Sequence, residues 1–379
     1  MHSLLRTAAV AHLHSSTFSS VARVATVPFV YFYNDIYKVN LPEKHKFPMD
    51  KYASVRMSLN DRFRHSGLHS RTTGRGVSTV DEIALGSTSF IEFRESPLAT
   101  EEELRTTHCS QYIDRFINGK QTEREIRVVG FPWSEQGVRR SLSSVGGTLA
   151  ATRYVLSRAV AQQAHGRARS VLPLAAAHLA GGTHHAFYDR GEGFCVFNDI
   201  AVAANCAMLE YPTLVKRCLI IDLDTHQGNG TAALFSKNPN IFTFNMHCKS
   251  NVFSELQVSD VDVELNADCS GEEYLQKLDY WLPFLFETLQ PQLVFFQAGV
   301  DVLATDRLGR LGLTRDDVRK RNAMVYRAAF EHNSSLVVTM GGGYPRDLNP
   351  SSDEYMDTIG AHVDVYEQLV QVWEDMSAK

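Results

Sequence analysis

Four short apolar stretches, "RCLIIDLD", "IFTFNMH", "QLVFFQAGVD" and "LVVTMGGGY", each break off abruptly into acids, histidine, amide or glycine. Their apolarity is continuous rather than alternating, which is what a β-strand needs when both of its faces are covered. Helical patterns lie between several of them, and "VPFVYFYNDIY" and "VLPLAAAHLAGG" read as further strands upstream. The combination predicts an α/β fold: a three-layer, predominantly parallel central sheet flanked by helices, in a single domain over residues 27–379. In such sheets ligands bind beyond the carboxyl ends of the strands, so the polar residues after each run are the candidate chemical groups.

Composition narrows the classes of function. Hydrophobic residues make up 44% and charged residues 21% of the 379, the balance of a globular protein rather than a disordered or fibrous one. A net charge of −5 provides no overall basic field, so direct nucleic-acid binding is not expected. The six cysteines form no C-x-x-C pair and read as free thiols. No apolar run approaches the roughly 20 residues that span a bilayer, so a membrane partner is not expected either. The first acidic residue is Asp35, and residues 1–26 carry Arg6, Arg23, histidines and serines. That is the composition of an organellar transit peptide, mitochondrial ahead of plastid, or of a short disordered tail; without such an address the expectation is a cytoplasmic or nuclear protein.

Within 27–379, "RFRHSGLHSRTTGRG" at 62–76 holds four arginines and no acid, and reads as a loop or insertion. "TEEELRTTHCSQYIDRFI" predicts a helix with Thr100 as N-cap, and "GGTLAATRYVLSRAVAQQA" a second helix whose small first residues allow close packing.

The candidate chemistry sits at the ends of the apolar runs. In "IIDLDTHQGNG", strand spacing places Asp222, Asp224 and His226 on one side. Two carboxylates and an imidazole on one edge are costly to bury, and a divalent cation such as zinc offsets that cost. Asp301, after "FFQAGV", completes an Asp/His/Asp set with an open fourth position if its strand neighbours the first. The glycines of "TMGGGYPRD", Gly342 among them, allow close backbone approach to a ligand and bring in Tyr344, a hydrogen-bond donor to an oxygen gaining negative charge. The adjacent His184 and His185 of "GGTHHAF" suit a base and an acid beside such a metal, provided their neighbours bias the two imidazoles apart. Asp222 would favour the charged form of one; the neutral amide of Asn229 would orient the other.

Together, "GGTHHAF", "GEGFCVFNDIAVAA", "DLDTHQGNGTA", "QAGVD", "DRLGRLGLT" and "GGGY" resemble the motifs of the zinc-dependent histone deacetylase superfamily, in their usual order, with "HKFPMDKY" and "GFPWS" similar to its N-terminal landmarks. The resemblance implies the arginase/deacetylase fold. It implies zinc on Asp224, His226 and Asp301, with His184 and His185 as the acid/base pair and His185 the shuttle. Asp222 and Asn229 are implied as their supports, and Tyr344 as the group polarising the acyl carbonyl. It further implies substrate contacts from the Gly193 carbonyl and Phe194, and potassium near Asp222, Asp224, His226 and Met246. Asn229 replaces the aspartate of the best-known nuclear class and resembles the class IV and bacterial-type branch. "HCKSNVF" follows that branch only loosely, so Phe253 is not assigned as a tunnel wall.

The implied activity is hydrolysis of the amide of N-acetyl-lysine in proteins. The alternatives are small acyl amides such as acetylpolyamines, longer acyl-lysines, an arginase-type ureohydrolase with two manganese ions, and a non-catalytic acyl-lysine-binding protein. The implied partner is an acylated protein or peptide, or a small acyl amide; oligomeric state is not legible.

Overall fold

A computed structural model describes residues 29–43, 45–65, 69–74, 77–78, 90–164 and 174–378. The expected address segment, 1–26, lies outside them. The strands are β1 (Phe29–Tyr33), β2 (His69–Gly74), β3 (Val77–Ser78), β4 (Phe90–Glu95), β5 (Ala175–His178), β6 (Cys218–Asp222), β7 (Ile241–Cys248), β8 (Val261–Leu265), β9 (Leu293–Gln297) and β10 (Ser335–Thr339). The helices are α1 (Lys51–His65), α2 (Glu101–Arg105), α3 (Ser110–Ile117), α4 (Glu123–Val129), α5 (Glu135–Ala164), α6 (Asp199–Glu210), α7 (Asn229–Phe235), α8 (Gly271–Leu289), α9 (Arg315–Glu331) and α10 (Asp353–Ser377).

The strands form one sheet in the order β3-β2-β4-β1-β5-β10-β9-β6-β7-β8. From β4 to β8 all eight neighbouring strands are parallel, β2 adds to β4 in parallel, and only β3 runs antiparallel, against β2. Alternate residues of each central strand enter different cores, as the two-residue period of a strand requires. Tyr31, Ile221, Phe296 and Val338 join a cluster with Tyr274, Tyr326 and Tyr366 from α8, α9 and α10. Val30, Ile220, Phe295 and Val337 join a second cluster with Leu149, Val155 and Ala203 from α5 and α6. These two apolar layers, one on each face of a doubly covered sheet, are what the continuous apolar runs dictate.

Three local expectations change. The segment at 62–76 is not simply a loop: its first residues finish α1, and 69–74 form β2 in register with Phe90–Arg94. The open edge of β4 offers backbone donors and acceptors that even a polar segment can pair with, and Thr72 and Thr73 are β-branched. The helix expected from "TEEELRTTHCSQYIDRFI" is two helices, α2 and α3, although Thr100 does close a capping box with Glu103 as the first-turn acids suggested. The helix expected from Gly146 begins at Glu135, so Gly146 and Gly147 lie inside α5. There they press against the chain after β4: a Cβ on Gly146 would come within 2.0 Å of the Pro97 carbonyl oxygen.

Candidate active site

Four strands adjacent in the sheet, β5, β10, β9 and β6, deliver the candidate groups from their carboxyl ends. β6 stops at Asp222, opposite Gln297 of β9, so Asp224 and His226 sit in the turn that follows and Asp301 in the neighbouring one. The ligand atoms of Asp224, His226 and Asp301 lie within 4.8 Å of one another, the one such set of three or more among the described residues. His226 Nδ1 is 3.1 Å from Asp224 Oδ1 and 3.3 Å from Asp301 Oδ2. Asp222 does not join the set as strand spacing had suggested. The chain leaves extended geometry after it, and its carboxylate turns instead to His184.

The outer atoms of the three residues are held by the protein. Gln297 Nε2 and the Gly342 amide each donate to Asp224 Oδ2 at 2.9 Å, and the Thr225 amide donates to Asp301 Oδ1 at 3.0 Å. Asp301 Oδ2 is buried and has no hydrogen-bond partner. Burial and the adjacent Asp224 push Asp301 up to about 6, because two carboxylates are confined side by side. A metal ion fits this set: two hard oxygens and one imidazole nitrogen converge, one of them unpaired, with their outer atoms already oriented.

Beside the set the two histidine rings lie 3.9 Å apart between centroids. His184 Nδ1 meets Asp222 Oδ2 at 2.7 Å, and His185 Nδ1 meets Asn229 Oδ1 at 2.8 Å. Asn229 Nδ2 donates to the Glu255 carbonyl, which fixes the amide so that its oxygen faces His185. His185 therefore carries its proton on Nδ1 and leaves Nε2 as an acceptor. Burial opposes charge on both rings, but Asp222 and Asp224 outweigh it and raise His184 to about 9. Burial, His184 and His226 together hold His185 well below the ordinary histidine range. The loop carrying both rings is fastened by Asp199, which accepts from the amides of Gly182 and Thr183 and from the Thr183 hydroxyl.

Tyr344 follows the glycine turn after β10. Gly342 presses on the acids so closely that a Cβ there would stand 2.1 Å from Asp301 Oδ2, so a side chain cannot occupy this position without displacing the carboxylates. The Gly342 amide is spent on Asp224. Asp306 Oδ2 accepts from the Tyr344 amide at 2.7 Å, and Lys51 Nζ donates to the Gly341 and Gly343 carbonyls. A cavity that opens to solvent is lined by His184, His185, Phe194, Asp224, Gly342 and Tyr344 among others. Gly193 and Phe194 both adopt positive φ, +51° and +67°, an arrangement held by their amides donating to Val128 and Val129 at the end of α4. The Phe194 ring lies 6.1 Å from that of Tyr344 and 5.1 Å from that of Phe47. Phe253, left unassigned from sequence, stands 4.6 Å from the His185 ring, and a Cβ on Gly193 would strike it at 2.7 Å.

Fold and site define an α/β hydrolytic scaffold of arginase/deacetylase type. The profile of the histone deacetylase domain matches residues 69–357, most of the chain. The chain is 33% identical over 321 residues to an uncharacterized protein of Picosynechococcus sp., covering 85% of this chain and 94% of that one. It is 34% identical over 262 residues to histone deacetylase 2 of Arabidopsis thaliana, covering 65% of this chain and 62% of that protein. With the histone deacetylase-like amidohydrolase of Pseudomonas aeruginosa it shares 27% over 290 residues, 73% and 72% of the two chains. The chain belongs to the histone deacetylase family, on its bacterial-type branch.

Residue patterns alone pass over Asp199, Asp306, Lys51 and Asn251, although each touches the site. Asp306 and Asp199 lie inside the quoted "DRLGRLGLT" and "FNDIA", where an acid before a turn or helix reads as a local cap. Asn251, 3.1 Å from His226 Nε2, carries no signal beyond its place after β7.

Proposed function

We propose that the protein is a zinc-dependent deacylase that hydrolyses the amide of N-acetyl-lysine in proteins or peptides. One observation carries the reading. A neutral imidazole with its free Nε2 (His185), a charge-stabilised imidazole (His184), a phenol (Tyr344) and Asp224 of the Asp/His/Asp set line a single cavity.

Asp224, His226 and Asp301 are the residues that would hold the zinc, and zinc so held acts as a Lewis acid on the acyl oxygen and acidifies water. His185 Nε2 takes the proton of the attacking water, because Asn229 keeps its Nδ1 protonated without adding negative charge. His184, paired with Asp222, is the ring that holds positive charge as the amine departs. The Tyr344 hydroxyl donates to the developing oxyanion, and burial keeps that phenol protonated, well above the usual tyrosine range. Phe194 and Phe253 wall the approach, Gly193 leaves room between them and offers its carbonyl to the substrate amide, and Gly342 shapes the floor by its contact with the acids. A structural potassium near Asp222, Asp224, His226 and Met246 is part of the proposal, supported by the family resemblance. So is an organellar address in residues 1–26, which N-terminal sequencing of the mature protein tests.

The single three-residue ligand set among the described residues favours this reading over a two-manganese ureohydrolase. The test is a panel of acyl-lysine peptides, acetylpolyamines and other small acyl amides with the zinc-loaded protein beside His185→Ala. Turnover of acetyl-lysine peptides lost in the variant supports the reading. Zinc binding without hydrolysis of any acyl amide sinks it in favour of a binding protein.

A further inference from the structure

The cavity does not end at the metal set. Its lining also takes in Tyr52, Arg140 of α5 and Gln121. Arg140 is only 8% exposed, and among the described residues no carboxylate pairs with it; its guanidinium carbon lies 4.2 Å from the centroid of the Tyr52 ring. Gln121 Nε2 is buried in the same cavity without a hydrogen-bond partner. The other buried cation here, Lys51, is already committed to the Gly341 and Gly343 carbonyls, and its Nζ stands 5.4 Å from the rings of both Tyr52 and Tyr344. Tyr52 thus contacts both cations, and Arg140 has no carboxylate partner among the described residues.

A buried guanidinium without a counter-ion is unfavourable, and its planar fork of donors matches a carboxylate. The Gln121 amide N–H, which lines the same cavity and has no partner, is a further donor. An acetyl methyl group leaves both unmet. We propose that the part of the cavity lined by Arg140 and Gln121 is a carboxylate-binding subsite, and that lysines acylated with a dicarboxylic acid, such as succinyl- or glutaryl-lysine, are substrates. This rests on the deacylase reading of the site. In the reaction water adds its oxygen to the acyl carbon, the carbon–nitrogen bond breaks and the amine takes a proton, leaving free lysine and the dicarboxylate. Arg140 offsets the repulsion that a second carboxylate would meet from Asp224 and Asp301. A released monocarboxylate such as acetate shares the same recognition chemistry, so the experiment must separate the two.

Glutarate and acetate are titrated by calorimetry into the zinc-loaded protein and into Arg140→Gln, Arg140→Lys and Gln121→Leu, with thermal unfolding as the folding control. The expected result is glutarate binding at least tenfold tighter than acetate. That preference falls at least tenfold in Arg140→Gln, partly returns in Arg140→Lys and weakens severalfold in Gln121→Leu. In parallel, the ratio of kcat/KM for glutaryl- over acetyl-lysine peptide falls at least tenfold in Arg140→Gln. Glutarate binding no tighter than acetate, or unchanged in Arg140→Gln, overturns the proposal and leaves Arg140 at most a receptor for the small product. Acetyl turnover without glutarate binding overturns the subsite alone. Arg140-dependent glutarate binding without turnover of any acyl peptide overturns the deacylase reading and the substrate assignment, and supports the subsite.

Discussion

His185 Nδ1 faces the amide oxygen of Asn229 at 2.8 Å, while 3.9 Å away the ring of His184 faces the Asp222 carboxylate. The difference in partner is one atom, and it separates the two imidazoles into a neutral and a charged member. Asn229→Asp makes the partners alike. A carboxylate on His185 favours its charged form, so more of the base is protonated at any given pH. The acidic limb of the kcat/KM profile is expected to move upward by on the order of 1 pH unit or more, with activity near pH 6 falling most. A limb that stays in place would show that His185 is not the base.

Removing the Tyr344 hydroxyl takes away a donor aimed at the oxyanion while leaving the ring that packs beside Phe194. Tyr344→Phe is expected to lower kcat on the order of 100-fold, the usual effect of losing one oxyanion donor. Near-wild-type turnover would remove Tyr344 from the mechanism.

Asp306 acts on the same tyrosine through the backbone. Its carboxylate accepts from the amides of Leu308, Gly309 and Tyr344, so it ties the turn after β9 to the turn after β10. Asparagine keeps the volume but has one acceptor oxygen, so one side of this tie is lost. Asp306→Asn is expected to reduce kcat roughly tenfold with KM nearly unchanged, as for a misplaced transition-state contact. An equal loss in kcat and gain in KM would point to collapse of the cavity instead.

Legibility from sequence followed burial. β1, β5, β6, β7, β9 and β10 announce themselves because strands covered on both faces must be apolar throughout. β4, "FIEFRE", and β8, "VDVEL", alternate or carry acids because they lie toward the sheet edges, and β2 is a strand of polar residues in register with β4. The same logic divides the site. Asp224, His226 and Asp301 end apolar runs and stand out, and local spacing goes wrong only where the strand stops, at Asp222. Asp306, Asp199 and Arg140 matter through neighbours far away in the chain, and nothing local distinguishes them from caps or surface charges.

Two histidines outside the chemical centre make the fold sensitive to acid. His108 Nε2 accepts from the Asn198 amide while its Nδ1 meets the Phe187 carbonyl, so the ring must be neutral with its proton on Nδ1. It joins the segment just after His184 and His185 to the start of α6. His178 is likewise placed between Ser96 and Thr148, whose hydroxyl donates to Asp199 and so accepts from the ring. Burial lowers His108 to about 4 and His178 to about 3. In the unfolded chain both take up protons below about 6.5, whereas the folded chain stays neutral until those lower values. Their contribution is therefore present in full above pH 6.5, declines as pH falls, and is lost below the folded values. For His108 the total is about 3 kcal/mol by linkage. Denaturant unfolding at pH 7 and pH 4.5 is expected to show a steep loss of stability, and His108→Gln, which does not titrate, should flatten it. If the variant keeps the wild-type slope, the neutral His108 tether is not what acid removes, and the loss belongs to the carboxylates.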